Sequence, residues 1–213
     1  MQPKISNEAL EAYCNCKLKF HLKLQGELGV KTDYEIMRAE LRANTLARAR
    51  KGNVANPESR DNFRLTPARL EKASPYIFNG TYEDEDFKLQ IDGVHKAIAF
   101  DDPCTYSLCP ITFSGSAKIE KQNRLVLRVY GYAVSRITHR QIPTGLVWNI
   151  RDVTTKVPLR LDDKEFAPWL QELRSSLRSR CLGFFIPEIT PRPRFAPWRS
   201  FQWRTWGGVA MYA

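Results

Sequence analysis

Apolar and polar positions follow two different periods along this chain. A spacing of three or four residues predicts four helices, at 6–25, 32–51, 116–138 and 165–180. An alternation of every second residue predicts five strands, at 76–78, 87–100, 106–113, 145–150 and 155–161. The polar, proline-containing segment between them predicts a loop at 52–75 with a short helix at 67–73. This order of elements predicts an α/β fold in which helices cover a mixed sheet.

Several residues mark where the predicted elements begin, end or bend. Ser6 is a typical N-cap for the first helix, and Gly26 is a typical stop. Thr32 and Glu35 have the spacing of a capping box, in which each side chain satisfies a backbone donor of the other residue. Pro110 predicts a bulge or an edge position for the strand at 106–113, because proline donates no ladder hydrogen bond.

The second helix is predicted to have an apolar face and a basic face. The apolar stripe that should face the core is Ile36, Ala39, Ala43 and Leu46. The opposite face, expected in solvent, carries Arg38, Arg42, Arg48, Arg50 and Lys51.

The charge balance is the one compositional anomaly of this chain of 213 residues. Its 33 Lys and Arg residues exceed its 23 Asp and Glu residues, so the formal net charge is +10. Such an excess indicates an anionic partner, either nucleic acid or a membrane surface. No apolar run is long enough for a transmembrane helix or a signal peptide, so we expect a cytoplasmic protein.

The composition changes near residue 181. We expect one domain at 1–181 and a poorly ordered tail at 182–213, because the tail is rich in Pro, Arg and Trp and shows no clear period. The five cysteines are an odd number in a chain of this length, which favours reduced thiols over a disulfide framework.

Six stretches, in order, resemble one nuclease family. They are EAYCNCKLKFHLKLQGELG, YEIMRAELR, LQIDGVHK, LCPITF, KQNRLVLRVYGYAVSR and GLVWNIRDVTTKVPL. Together they resemble the RecB-like nucleases of the PD-(D/E)XK superfamily, which are related to the iron–sulfur exonucleases found beside CRISPR arrays. The resemblance covers about residues 5–180. It implies a restriction-endonuclease-like core that hydrolyses DNA phosphodiester bonds with Mg²⁺ or Mn²⁺, and that in larger relatives precedes a helicase.

The resemblance places the metal site on the second strand. Asp92 lies on the polar face of that strand, directly before a glycine, where the family has its first metal-binding aspartate. The alternative is an ordinary solvated strand aspartate. The acid-x-Lys element that should follow is missing, and the only acids between Asp92 and Pro110 are Asp101 and Asp102. Asp102 is therefore the candidate for a second ligand.

Two residues at the start of the third helix are candidates for the catalytic groups. Lys121 and Gln122 resemble the Lys and Gln of the family's helix, and Gln122 falls on the apolar stripe, where a polar side chain needs a partner. Two alternatives remain open. Asn123 could be the equivalent residue one position later, and Lys121 could be a solvated lysine at a helix start.

The same resemblance concerns an iron–sulfur cluster. Cys16 matches the family's N-terminal cysteine, and Cys181 lies near the expected C-terminal site. The family needs three cysteines there, and no cysteine follows Cys181, so the set of four is incomplete.

For the partner, we expect single-stranded DNA. The candidate phosphate contacts are Arg38, Arg42, Arg174 and Arg178, and tryptophans of the tail could stack on unpaired bases. The leading hypothesis is a metal-dependent DNA nuclease of DNA repair. The missing acid-x-Lys and cysteines favour weak or absent activity, so a catalytically dead DNA-binding remnant is the alternative. A third hypothesis is an interaction module for a helicase or repair subunit.

Overall fold

A computed structural model of the chain describes residues 3–27, 29–53, 63–72, 75–98 and 106–180. The helices in these ranges are α1 (Asn7–Asn15), α2 (Lys17–Leu24), α3 (Asp33–Asn53), α4 (Pro67–Lys72), α5 (Lys121–Thr138) and α6 (Phe166–Arg180). The strands are β1 (Phe63–Arg64), β2 (Tyr76–Glu83), β3 (Lys88–Ile98), β4 (Tyr106–Phe113), β5 (Thr144–Trp148) and β6 (Thr154–Pro158). The predicted tail, 182–213, lies outside the described residues.

The six strands form one mixed sheet in the order β1 to β6. β2, β3 and β4 make an antiparallel meander, and α5 then carries the chain over to β5, which is parallel to β4. β6 is antiparallel to β5, and the short β1 is parallel to β2. The predicted α/β fold, a mixed sheet flanked by helices, is therefore confirmed.

The sheet has helices on both faces. On one face, α1, α2, α5 and α6 bury the larger core, which includes Phe20, Leu127 and Leu173. Burial of each such side chain stabilises the fold by about 1.5–3 kcal/mol. On the other face, Ala49 of α3 packs in a smaller apolar cluster with residues of β2, β4 and β5, among them Phe78.

Two helix starts differ from the sequence prediction. The helix predicted at 6–25 is broken at Cys16, whose extended backbone (φ −161°, ψ 119°) separates α1 from α2. The break lets Phe20 turn back against Tyr13, with their ring centroids 5.2 Å apart, while Phe20 is buried in the core. The helix predicted from 116 begins at Lys121, because Glu120 and Asn123 form a capping box there.

The orientation predicted for the second helix is wrong over its first half, whereas Leu46 packs against the smaller cluster and Arg48 and Lys51 are exposed, as predicted. Ile36, Ala39 and Ala43 of α3 are exposed, whereas Thr45 and Ala49 are buried and Arg38 and Arg42 are partly buried on the same side. The inward face is therefore set by a spacing of 38, 42, 45 and 49, and its two arginines are accommodated because acids from other elements neutralise them.

Two further expectations about the sheet are corrected. Pro110 lies in β4, an interior strand, and its pairing with Val94 of β3 shows no bulge. The pairing of β4 with β5 starts at Ile111, so the proline stands at the end of that ladder, where a missing N–H is tolerated. The short strand β1 lies within the segment predicted as a loop at 52–75.

None of the helices in the described ranges is both long enough and apolar enough to cross a membrane.

Candidate functional site

β3 and β4 separate at Asp92. The two strands pair residue by residue from Ile98–Tyr106 to Gly93–Ile111, where the ladder ends. The Oδ2 of Asp92 then accepts hydrogen bonds from the Thr112 hydroxyl and from the backbone N–H of Phe113, both at 3.1 Å. The carboxylate therefore fills the gap between the strands and satisfies a backbone donor there.

Arg42 of α3 contacts the same carboxylate. Its Nη2 donates to Oδ1 of Asp92 at 2.9 Å and to Oδ2 at 2.7 Å, while its Nη1 donates to Oε1 of Glu11 at 2.5 Å. One guanidinium thus joins two carboxylates, from α1 and β3. The side chain of Asp92 is only 13% exposed. The negative charge of Asp92 raises the pKa of Arg42 well above its ordinary value, against the opposing effect of burial.

A buried tyrosine closes the other side of Asp92. The Tyr130 hydroxyl lies 2.9 Å from the carbonyl oxygen of Gln90 and 3.5 Å from Oδ1 of Asp92, and it accepts a hydrogen bond from the Asn7 amide at 2.7 Å. Asn7 also accepts the backbone N–H of Gln90. Burial, and then the charge of Asp92, raise the pKa of Tyr130, so the hydroxyl stays protonated. We call Asp92, Arg42, Glu11, Thr112 and Tyr130 the Asp92 site.

The donors around Asp92 decide whether a metal ion fits. Mg²⁺ and Mn²⁺ need carboxylate oxygens that are free to face them. An ionised carboxylate offers about four lone-pair positions. Asp92 already accepts two contacts from Arg42 and one each from Thr112 and Phe113. The Asp92 site therefore does not fit a divalent cation while Arg42 is in place.

No three His, Cys, Asp or Glu side chains within the described ranges lie close enough together to hold a metal ion. Asp102, the predicted second ligand, lies outside the described residues. The predicted metal role of Asp92 and Asp102 stays a prediction, and the geometry around Asp92 does not support it.

The start of α5 holds the predicted catalytic pair. Lys121 is exposed and Gln122 is partly exposed, whereas Asn123 is buried. The Oδ1 of Asn123 accepts the backbone N–H of Glu120 at 3.1 Å and lies 3.4 Å from the Ser114 hydroxyl. The polar side chain on the buried stripe is therefore Asn123, not Gln122 as predicted, and it serves to cap the helix.

The cations predicted to contact DNA have different surroundings. Arg38 pairs with Glu120 at 2.6 Å, and Arg174 pairs with Asp86 at 2.8 Å. Arg42 is engaged in the Asp92 site. Only Arg178, of the four, is exposed. Other exposed cations lie near the start of α5, at Lys118, Lys121 and Arg124.

The cysteine pair near the N-terminus is divided by the helix break. Cys16 is an exposed free thiol, and Cys14 is a partly buried one whose pKa is raised to about 11 by burial. Cys181 lies outside the described residues. The predicted cluster role of Cys16 and Cys181 therefore stays a prediction.

Sequence reasoning missed most partners of Asp92. The sequence pattern does not single out Glu11, Thr112 or Tyr130, and it predicts that Arg42 faces solvent. The sequence carries no local signal for this arrangement, because Glu11 and Asp92 lie 31 and 50 residues away from Arg42.

No model of a known protein family matches the chain, and no curated protein matches it significantly. The resemblance to RecB-like nucleases therefore rests on the six stretches quoted above, and the nuclease function stays a prediction.

Proposed function

We propose that this chain is a DNA-binding protein with the core of a RecB-like nuclease, and that it binds DNA without cutting it. The observation that carries the proposal is the contact of Arg42 with both Asp92 and Glu11. A guanidinium keeps its charge under all physiological conditions and brings its own hydrogen-bond donors to the carboxylates. It therefore occupies oxygens of both acids that a catalytic metal ion would need and offsets one of their two negative charges.

The binding half of the proposal rests on charge. The net charge of +10 favours a polyanionic partner, and the resemblance selects DNA among such partners. Lys118, Lys121 and Arg124 are exposed near the start of α5, and Arg178 is exposed on α6. Exposed cations of this kind bind phosphates and release counterions, so affinity should fall steeply with salt.

The nuclease remains the alternative, and one observation favours it. Glu11 and Asp92 share a single guanidinium, so the three groups together keep one negative charge. If a DNA phosphate drew Arg42 away, the two carboxylates would become available to Mg²⁺ or Mn²⁺. In that case the predicted catalytic groups, Lys121 and Gln122, would be the ones to test by substitution.

A protein-interaction role is the second alternative. Among the described residues, six of the seven large apolar side chains that are exposed lie within residues 18–37, in and between α2 and α3; they are Leu18, Leu22, Val30, Tyr34, Ile36 and Met37. Exposed apolar side chains that lie close together are typical of protein contacts. A helicase or repair subunit is the partner that the resemblance implies.

The proposal is tested by measuring binding and cleavage in one reaction. Purified protein is mixed with labelled single-stranded DNA and Mn²⁺ at several salt concentrations. We expect a complex whose dissociation constant rises steeply with salt and DNA that stays intact. Cleavage that disappears in Asp92→Ala would establish the nuclease instead, and the absence of any complex would leave the interaction role.

A further inference from the structure

A row of rings lies on the sheet face that α3 partly covers. Tyr76 of β2 is directly opposite His95 of β3, and their rings are stacked with centroids 4.5 Å apart. Phe78, two residues along β2, is nearly parallel to Tyr76 at 6.0 Å. Trp148 of β5 approaches Tyr76 edge-on at 6.4 Å. Three strands thus bring four rings together.

Part of this row remains accessible. Phe78 is buried in the small core, whereas Tyr76, His95 and Trp148 are only partly buried. We call these three residues the aromatic row. It lies in the sheet itself, so its rings are held in place by strand pairing rather than by a loop.

One exposed cation lies close to the aromatic row. Lys156 of β6 is exposed, and its charge, after the larger effect of burial, lowers the pKa of His95. The lowered pKa favours the neutral imidazole, which presents an uncharged ring. The row thus combines flat, uncharged rings with a cation at its edge, which is the combination that single-stranded nucleic acids bind.

We infer that the aromatic row stacks on bases of single-stranded DNA while Lys156 contacts the phosphate backbone. The inference rests on the proposed DNA-binding function and names its contact surface. Single strands are favoured over duplex because bases in a duplex are already stacked on each other and have no free face for a side-chain ring. The positive net charge favours this occupant over an apolar protein surface.

The first test compares two substitutions at one position. Fluorescence anisotropy measures binding of labelled oligothymidine to the wild type, Tyr76→Ala and Tyr76→Phe. Because stacking of one base changes affinity measurably, we expect Tyr76→Ala to bind about tenfold more weakly. Tyr76→Phe keeps the ring and should bind within about twofold of wild type. Equal affinity of all three proteins would overturn the inference.

A second test uses the unmodified protein, so that a folding defect cannot obscure the result. Oligothymidine containing bromodeoxyuridine is irradiated with the wild-type chain, and the crosslinked peptides are identified by mass spectrometry. We expect crosslinks at Tyr76, His95 or Trp148. Crosslinks confined to other peptides would overturn the inference that the aromatic row contacts DNA, while the proposed DNA-binding function would still hold. Absence of any complex would overturn both the inference and the proposed function. Binding of a protein instead of DNA at the aromatic row would overturn the inference alone.

Discussion

Replacing Arg42 with methionine removes the cation from the Asp92 site and keeps an apolar side chain about as long as the aliphatic part of arginine. Asp92, whose side chain is 13% exposed, then loses the charge that neutralises it. It keeps the hydrogen bonds from Thr112 and from the backbone of Phe113. The variant therefore measures how much the fold depends on the guanidinium.

The expected size follows from the burial of the pair. Removing one partner of a fully buried ion pair costs about 3–5 kcal/mol, and an exposed pair contributes about 0–1 kcal/mol. The side chain of Arg42 is 28% exposed, so the pair lies between these limits but nearer the buried one. We expect Arg42→Met to lower the free energy of unfolding by about 2–3 kcal/mol.

The same helix offers a matched control. Arg48 pairs with Asp152, and both side chains are about half exposed, at 47% and 51%. Arg48→Met should therefore cost less than about 1 kcal/mol. Urea denaturation measures both variants at the same pH and salt concentration.

A double-mutant cycle completes the argument. Arg42→Met leaves the charge of Asp92 unpaired, and Asp92→Asn removes that charge. The double variant should therefore recover part of the free energy of unfolding that Arg42→Met loses, with a coupling energy of about 1–2 kcal/mol. Equal losses for Arg42→Met and Arg48→Met, or strictly additive effects with Asp92→Asn, would refute the reasoning.

Three further outcomes follow from single contacts. Asn123→Ala removes a capping side chain and should cost about 1–2 kcal/mol in thermal unfolding, whereas Gln122→Ala should cost less than about 0.5 kcal/mol. Gly115→Ala places a Cβ 2.7 Å from a backbone oxygen of α3 and should lower the melting temperature, whereas Gly52→Ala, with open space around it, should not. Because the pKa of His95 is lowered in the fold, stability should decrease as pH falls below about 6.5, and His95→Gln should reduce that slope.

Each of these three predictions would be contradicted by one result. Equal effects of the two variants at the start of α5 would mean that the cap contributes nothing. A Gly115→Ala protein as stable as wild type would show that α3 can move away. An unchanged slope between pH 7 and pH 5 in His95→Gln, followed by urea denaturation at each pH, would mean that other groups control the acid response.

The sequence pattern was enough for five of the six strands described, for the positions of the helices and for several of their ends, although it joined α1 and α2 into one helix and missed β1. Ser6 accepts the N–H of Ala9, and Thr32 and Glu35 exchange hydrogen bonds as a capping box predicts. These signals are local, because the partners lie three residues apart. Local chemistry of this kind can be read from the chain alone.

The orientation of α3 could not be predicted in the same way. The apolar pattern favoured burial of Ile36 and exposure of Arg42, since charged side chains are seldom buried without partners. The partners of Arg42 are Glu11 and Asp92, which are 31 and 50 residues away in sequence. Only the folded sheet brings them together, so the position of the arginine depends on contacts that no local pattern contains.

The most direct test of the account is cleavage itself. Labelled single-stranded DNA is incubated with wild type, Asp92→Asn and Arg42→Met in the presence of Mn²⁺ or Mg²⁺, and the products are separated on a denaturing gel. Because Arg42 occupies oxygens of both Asp92 and Glu11, we expect wild type to bind the DNA and leave it intact. Cleavage by wild type that needs the metal ion and disappears in Asp92→Asn would contradict it.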